Sequence, residues 1–159
     1  MAAMKRVDLA GLAVEASAGA PIVVLREHDE PHRLLPIFIG GPEAAAIALA
    51  VTGEEPPRPL SHDLMATLVR HLGGQLTGVE ITELSDGAFF ANLLLEGPTG
   101  EQRIDARPSD AIAVALRLDA PVWVNDEVLD EAGALPVIDV EPIDEEAIEG
   151  EVEEFRAFL

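Results

Sequence analysis

Arg107-Pro108-Ser109-Asp110-Ala111-Ile112 is the stretch on which the reading of this chain turns. Ahead of it, Glu101 to Ala106 has the character of a short strand, and behind it Ala111 to Leu118 is an apolar helical run. Proline suits a first helical position, because the N–H it lacks would have no partner there. Asp110 then falls in the first turn, where a carboxylate favours the positive end of the helix dipole. Arg107 and Asp110 are three residues apart, close enough for the guanidinium to reach the carboxylate around one turn. A strand that enters a polar turn and opens a helix gathers charged side chains and free backbone N–H donors at one spot. The same spacing also describes a capped helix with a local ion pair, and spacing alone leaves both open.

Outward from this stretch the pattern is one of hairpins and helices. Upstream, Gln75–Leu84 and Ala88–Leu95 read as strands joined by the turn Ser85-Asp86-Gly87, and Glu101–Ala106 completes a three-strand meander. Downstream, Pro121–Val124 reads as a short buried strand, Asn125 as the cap of a helix over Asp126–Ala132 closed by Gly133, and Val137–Val140 as a last strand. In the first half, Val7–Glu15 and the β-branched run Pro21–Arg26 are strands, and Arg33–Ile39 is a returning strand. Pro36 places that strand at an edge or a bulge. An alanine-rich helix runs from Glu43 to Val51, and Ser61 caps a second whose stripe is Leu64, Met65, Leu68, Val69 and Leu72. The fold class is therefore α+β, an antiparallel or mixed sheet of hairpins carrying three main helices. Glu43-Ala44-Ala45-Ala46-Ile47-Ala48-Leu49 aligns with Asp110-Ala111-Ile112-Ala113-Val114-Ala115-Leu116, a candidate internal strand–helix repeat. Chance likeness between two alanine-rich helices is the plain alternative.

Composition narrows the functions available. The 159 residues suffice for one domain with a sizeable core, and 48% are hydrophobic. The expected division is a domain over residues 1–140 and an acidic amphipathic helix or tail over 141–159. No run of eighteen apolar residues exists, so no membrane span is expected. The start MAAMKRVDLAGLAVEA has no continuous apolar segment and reads as mature protein, which favours the cytoplasm. With no cysteine, disulfides, thiolate zinc sites and cysteine nucleophiles are excluded. Net charge is −20, and residues 126–159 hold 13 of the 30 acidic residues against one of the ten basic ones. That balance argues against tight, sequence-independent nucleic-acid binding, which usually needs a basic patch to neutralise phosphates. In the tail, Ile148, Val152, Phe155 and Leu159 fall on one helical face, predicting a helix that docks its apolar stripe on its own domain or on a second subunit.

Three blocks carry a resemblance: LPIFIGGPEAAAIALA (35–50), PPRPLSHDLMATLVRHLGG (56–74) and RPSDAIAVALRLDAPVWVNDEVLDEAG (107–133). Together, and in this order, they resemble the bifunctional nuclease family over roughly residues 5 to 135. The resemblance implies a compact α+β fold and hydrolysis of phosphodiester bonds in DNA and RNA. It carries no established set of catalytic residues.

The catalytic candidates therefore come from chemistry. His62 is suited to proton transfer near neutral pH, and Asp63, Arg107 and Asp110 stand beside it in the matched blocks. Arginine can bind phosphate bidentately. A nuclease using Mg²⁺ or Mn²⁺ needs convergent carboxylates, for which Glu43, Asp105 and Asp110 are the candidates. Solvated helix caps and ordinary ion pairs would explain the same residues. The expectation is that at least two of His62, Arg107 and Asp110 line one cleft together with Glu43 or Asp105. A homodimer is expected from the apolar surface of Ile22–Leu25, Leu34–Ile39 and Ala44–Ala50. A non-catalytic oligomeric module that binds a partner or ligand is the other reading the sequence supports.

Overall fold

The computed structural model describes residues 3–136 and the backbone of 145–156, with side chains in the latter for 149–153, 155 and 156. The strands are β1 (Met4–Val14), β2 (Pro21–Glu27), β3 (Leu34–Phe38), β4 (Gln75–Ser85), β5 (Ala88–Gly97), β6 (Gly100–Ala106) and β7 (Val122–Asn125). The helices are α1 (Gly41–Thr52), α2 (Ser61–His71), α3 (Pro108–Leu118), α4 (Asp126–Ala132) and α5 (Glu145–Arg156). The fold is α+β, as the hairpin pattern predicts.

One seven-stranded sheet has the order β3-β2-β1-β7-β4-β5-β6. All neighbours are antiparallel except β4 and β7, which run parallel and make the sheet mixed. The late strand β7 slots between β1 and β4, joining the N-terminal hairpins to the meander. Pro36 does lie in an edge strand, where a missing N–H costs nothing. The N–H and C=O of Leu34 also exchange hydrogen bonds with Ala134, partly covering that edge.

The core is built between the sheet and α1, α3 and α4. Val23, Leu25, Leu35, Ile37, Val79, Ile81 and Val124 meet Ile47, Ile112, Val114 and Leu129, all buried. Alternation then assigns the faces. Ala91 and its partner Ala106 point inward, so Asn92 and its partner Asp105 point to the face away from the helices. Small residues set the spacing of the helix layer. Ala44, Ala45, Ala46 and Ala48 of α1 and Ala111, Ala113 and Ala115 of α3 are buried, and the two helices pack directly.

Two local expectations change. Ser61 is the first residue of α2, not its cap; the cap is Leu60, whose backbone N–H donates to Asp63 Oδ2 at 2.9 Å. The carboxylate of the third helical residue thus satisfies the backbone N–H of the cap. The surface expected to carry a dimer is mostly consumed by the chain's own core: Val23, Leu25, Leu35, Ile37 and Ala44–Leu49 are buried. Asn125 caps α4 as expected, accepting from the Glu127 N–H at 3.0 Å. The expected strand Val137–Val140 lies outside the described residues, as do the side chains of Ile148 and Leu159.

The tail helix α5 docks on its own domain, against α1. Val152 is buried with Ala48 and Leu49, and the Phe155 ring lies beside Gly41. Deleting residues 144–159 uncovers that surface. The shortened chain should keep its secondary structure and lose thermal stability in a calorimetric scan; an unchanged Tm would mean that the helix contributes nothing to the fold.

Candidate functional site

The site is assembled from the starts of three helices. Each carries a carboxylate at its third position: Glu43 in α1, Asp63 in α2 and Asp110 in α3. Glu43 and Asp110, aligned in the sequence, occupy equivalent helical positions, each after a strand and an early proline. The dipole favours a negative charge there. Packing then brings the first turns of the three helices to one place.

Arg107 is the N-cap residue of α3, held extended at φ −67°, ψ 143°. Its Nε donates to Asp110 Oδ2 at 2.9 Å and its Nη2 to Glu43 Oε1 at 2.7 Å. The other oxygen of Asp110, Oδ1, lies 2.8 Å from His62 Nε2. Glu43, Arg107, Asp110 and His62 therefore form one continuous chain across α1, α3 and α2. The imidazole is nearly buried, whereas the Arg107 side chain is 65% exposed. Arg107 Nη1 and His62 Nδ1 have no hydrogen-bond partner among the described residues. Gly40 leaves room beside Glu43: a β-carbon there would meet the Glu43 carboxylate and displace it.

Burial opposes the charge on Asp110, but hydrogen bonds from Arg107 and His62 outweigh it and hold the carboxyl below the usual carboxylate range. Asp110 therefore stays ionised as a fixed acceptor. An ionised acceptor at Nε2 favours a hydrogen on that nitrogen.

Asp63 turns the other way. Its Oδ1 accepts from Arg117 Nε at 2.7 Å, and burial is again outweighed by its donors, Arg117 and the Leu60 N–H, so its carboxyl is also lowered. Arg117 further donates to the carbonyls of Ala113 and of Ala46 on α1, at 2.8 and 3.0 Å. The two arginines of α3, near its two ends, thus tie it to both neighbouring helices. Arg117 was not among the sequence candidates; the signal for it is a lone cation inside the apolar run of α3. A cleft of about 330 Å³ borders Asp63 and Arg117 and is also lined by Arg70, Thr67, Glu54 and Glu55.

Asp105 does not join. It belongs to β6 and points to the face away from the helices, whereas Glu43 and Asp110 sit in the helix layer. Among the described residues no three histidine, aspartate or glutamate side chains are grouped closely enough to hold a metal ion. Between Glu43 and Asp110 stands the Arg107 guanidinium, which occupies their oxygens as a cation would. This donor set, as arranged, does not fit Mg²⁺ or Mn²⁺.

The family model for the bifunctional nuclease domain matches residues 23–136, most of the chain. The chain belongs to the bifunctional nuclease domain family. All six candidate residues lie inside the matched region. An uncharacterized protein of Mycobacterium tuberculosis is 44% identical over 160 residues, covering 98% of this chain and 93% of that protein. Bifunctional nuclease 1 of Arabidopsis thaliana is 32% identical over 108 residues, which is 66% of this chain but 33% of the plant protein. Bifunctional nuclease 2 of the same plant is 31% identical over 107 residues, 65% of this chain and 32% of its own length. No helix among the described residues is long and apolar enough to cross a membrane.

The lowered carboxyls of this bifunctional nuclease domain fix the sign of a pH effect. Asp110 and Asp63 bind protons less readily folded than unfolded, so their contribution is complete above the ordinary aspartate value of about 3.9. It is lost as pH falls through that value toward the lowered one. In thermal melts between about pH 5 and pH 3, Asp110→Asn should lose less stability than the parent chain. Parallel curves would mean that Asp110 is not held ionised by its donors.

Proposed function

We propose that this domain hydrolyses phosphodiester bonds of nucleic acid, with His62 as the acid–base group and Arg107 as the phosphate anchor. The observation that carries the reading is the shared carboxylate of Asp110, which orients an imidazole on one side and a guanidinium on the other. Magnitude supports it. Exposed ion pairs contribute about 0–1 kcal/mol, so a bridge centred on an arginine this exposed is a weak device for stability. It is a strong device for placing two functional groups at a fixed separation.

In the reaction, Arg107 Nη1 donates to a non-bridging oxygen of the phosphate while Nε and Nη2 stay on their carboxylates. His62 Nδ1 takes the proton of the attacking hydroxyl, either water or, in RNA, the adjacent 2′-hydroxyl. As the new P–O bond forms, the bond to the leaving oxygen breaks, and the imidazolium returns its proton to that oxygen. Asp110, ionised throughout, steadies the imidazolium. The partial positive charge at three helix starts favours the anionic group there. No step runs through a metal ion, because the donor set does not fit one.

A second reading has its own observation. The cluster carries two carboxylates against one permanent cation, on a chain of net charge −20. That field repels polyanions and favours a non-catalytic module that binds a partner or ligand. The expected cellular setting is the cytoplasm.

Hydrolysis of labelled single-stranded DNA and RNA by purified protein, with Mg²⁺, with Mn²⁺ and with excess chelator, separates the readings. The hydrolase reading expects cleavage that survives chelator. It also expects a loss of about 10²–10⁴-fold in His62→Ala, with a comparable loss in Asp110→Asn at unchanged fold. Cleavage abolished by chelator would remove the mechanism written here. Cleavage unaffected by His62→Ala would remove the site, and none under any condition would leave the binding module.

A further inference from the structure

Among the described residues, one edge of the sheet has no pairing partner. The β3 edge carries Pro36 and is partly covered by Ala134, but β6 pairs with β5 on one side only. An uncovered edge strand presents a row of backbone donors and acceptors ready to pair with another strand. Beside this edge, α2 turns an apolar stripe to solvent. Leu64, Leu68 and Leu72, four residues apart, are 52%, 49% and 74% exposed, and Met65 is 42% exposed. A groove of about 360 Å³ joins the two features, lined by Leu68 and Leu72 from α2 and by Leu95, Pro98 and Gln102 from the meander. Ile104 of β6, two residues beyond Gln102 and 41% exposed, lies on the same helix-side face. Helix stripe, groove and strand edge form one apolar surface.

The charges of β6 point to its occupant. Around Ile104 the sequence reads Glu101-Gln102-Arg103-Ile104-Asp105-Ala106-Arg107. If two copies of this strand pair antiparallel about a twofold axis through Ile104, each Arg103 faces Asp105 of the other copy. Moving the axis one residue, to Arg103, would set Arg103 against Arg103 and Glu101 against Asp105. Opposite charges across a strand pair stabilise it and like charges destabilise it, so the sequence is complementary to itself in one register. Arg103 and Asp105 share the face away from the helices; the exposed Arg103 side chain rests on Glu80 of its own chain at 3.0 Å and would turn to the second copy, and the Asp105 side chain has no hydrogen-bond partner among the described residues. A twofold perpendicular to the sheet keeps both α2 helices on one face, where their stripes meet above the paired strands.

We infer that a second copy of this chain docks here, with β6 against β6 in the Ile104 register and α2 against α2. Asp105, which stands apart from the candidate site, then pins the register.

Sedimentation equilibrium of the full chain at about 10 micromolar should give about twice the 16.9 kDa chain mass. Arg103→Asp sets carboxylate against carboxylate, and Asp105→Arg sets guanidinium against guanidinium. Each single reversal should weaken the dimer at least ~10-fold, and the double reversal should restore it. Leu68→Glu should weaken it through the helix stripe without touching the strand. Circular dichroism of each variant confirms the fold. A monomeric parent chain at that concentration would overturn the inference. So would a dimer that tolerates the folded single variants, or a double reversal no tighter than the singles.

Discussion

The carboxylate of Asp110 is the constraint on which the candidate site depends. One oxygen is held by His62 and the other by Arg107, and through Arg107 the link extends to Glu43. Burial by itself would push this carboxyl toward its neutral form, and two donors reverse that. The result is a negative charge at the start of α3 with one oxygen on each partner. Three helices from separate parts of the chain thereby share one polar junction.

That junction is possible only because the helix layer is thin. Arg107 can span from α3 to Glu43 on α1 because the facing surfaces of these helices are largely alanine. Larger side chains would push the helices apart and carry the two carboxylates beyond the reach of one guanidinium. Gly40 serves the same end, leaving room for Glu43 to fold back over the turn before α1. At the other end of α3, Arg117 fixes the helix against the Asp63 carboxylate and the Ala46 carbonyl. The packing that fills the core and the geometry that joins His62 to Arg107 are therefore one requirement.

Much of this was legible in the sequence because it is local. Proline and an acid at the starts of α1 and α3, the three-residue spacing of Arg107 and Asp110, and the Ser85–Gly87 turn are all short-range signals, and each appears where the residues place it. At least two of His62, Arg107 and Asp110 were expected to line one cleft with Glu43 or Asp105; hydrogen bonds link them to Glu43, whereas the cleft of about 330 Å³ borders Asp63 and Arg117 instead. What was not legible depends on distance along the chain. Nothing in Pro121–Val124 announces that β7 will lie between β1 and β4. Asp105 looked equivalent to the other carboxylates, yet strand alternation turns it away while helical periodicity turns Asp110 inward. Leu64, Leu68 and Leu72 form a helical stripe that pattern alone would bury, and the fold leaves it outside.

The central claim is that His62 and Arg107, joined by Asp110, are where a nucleic-acid phosphate binds. The most direct measurement is nuclear magnetic resonance of the histidine rings and arginine Nε–H groups during titration with a nuclease-resistant phosphorothioate oligonucleotide. The chain has four histidines, so His62 can be assigned by substitution. The account predicts saturable shifts of the His62 ring and Arg107 Nε–H signals, with His28, His32 and His71 unmoved. Shifts confined to other residues, or no saturable shift of His62, would contradict it.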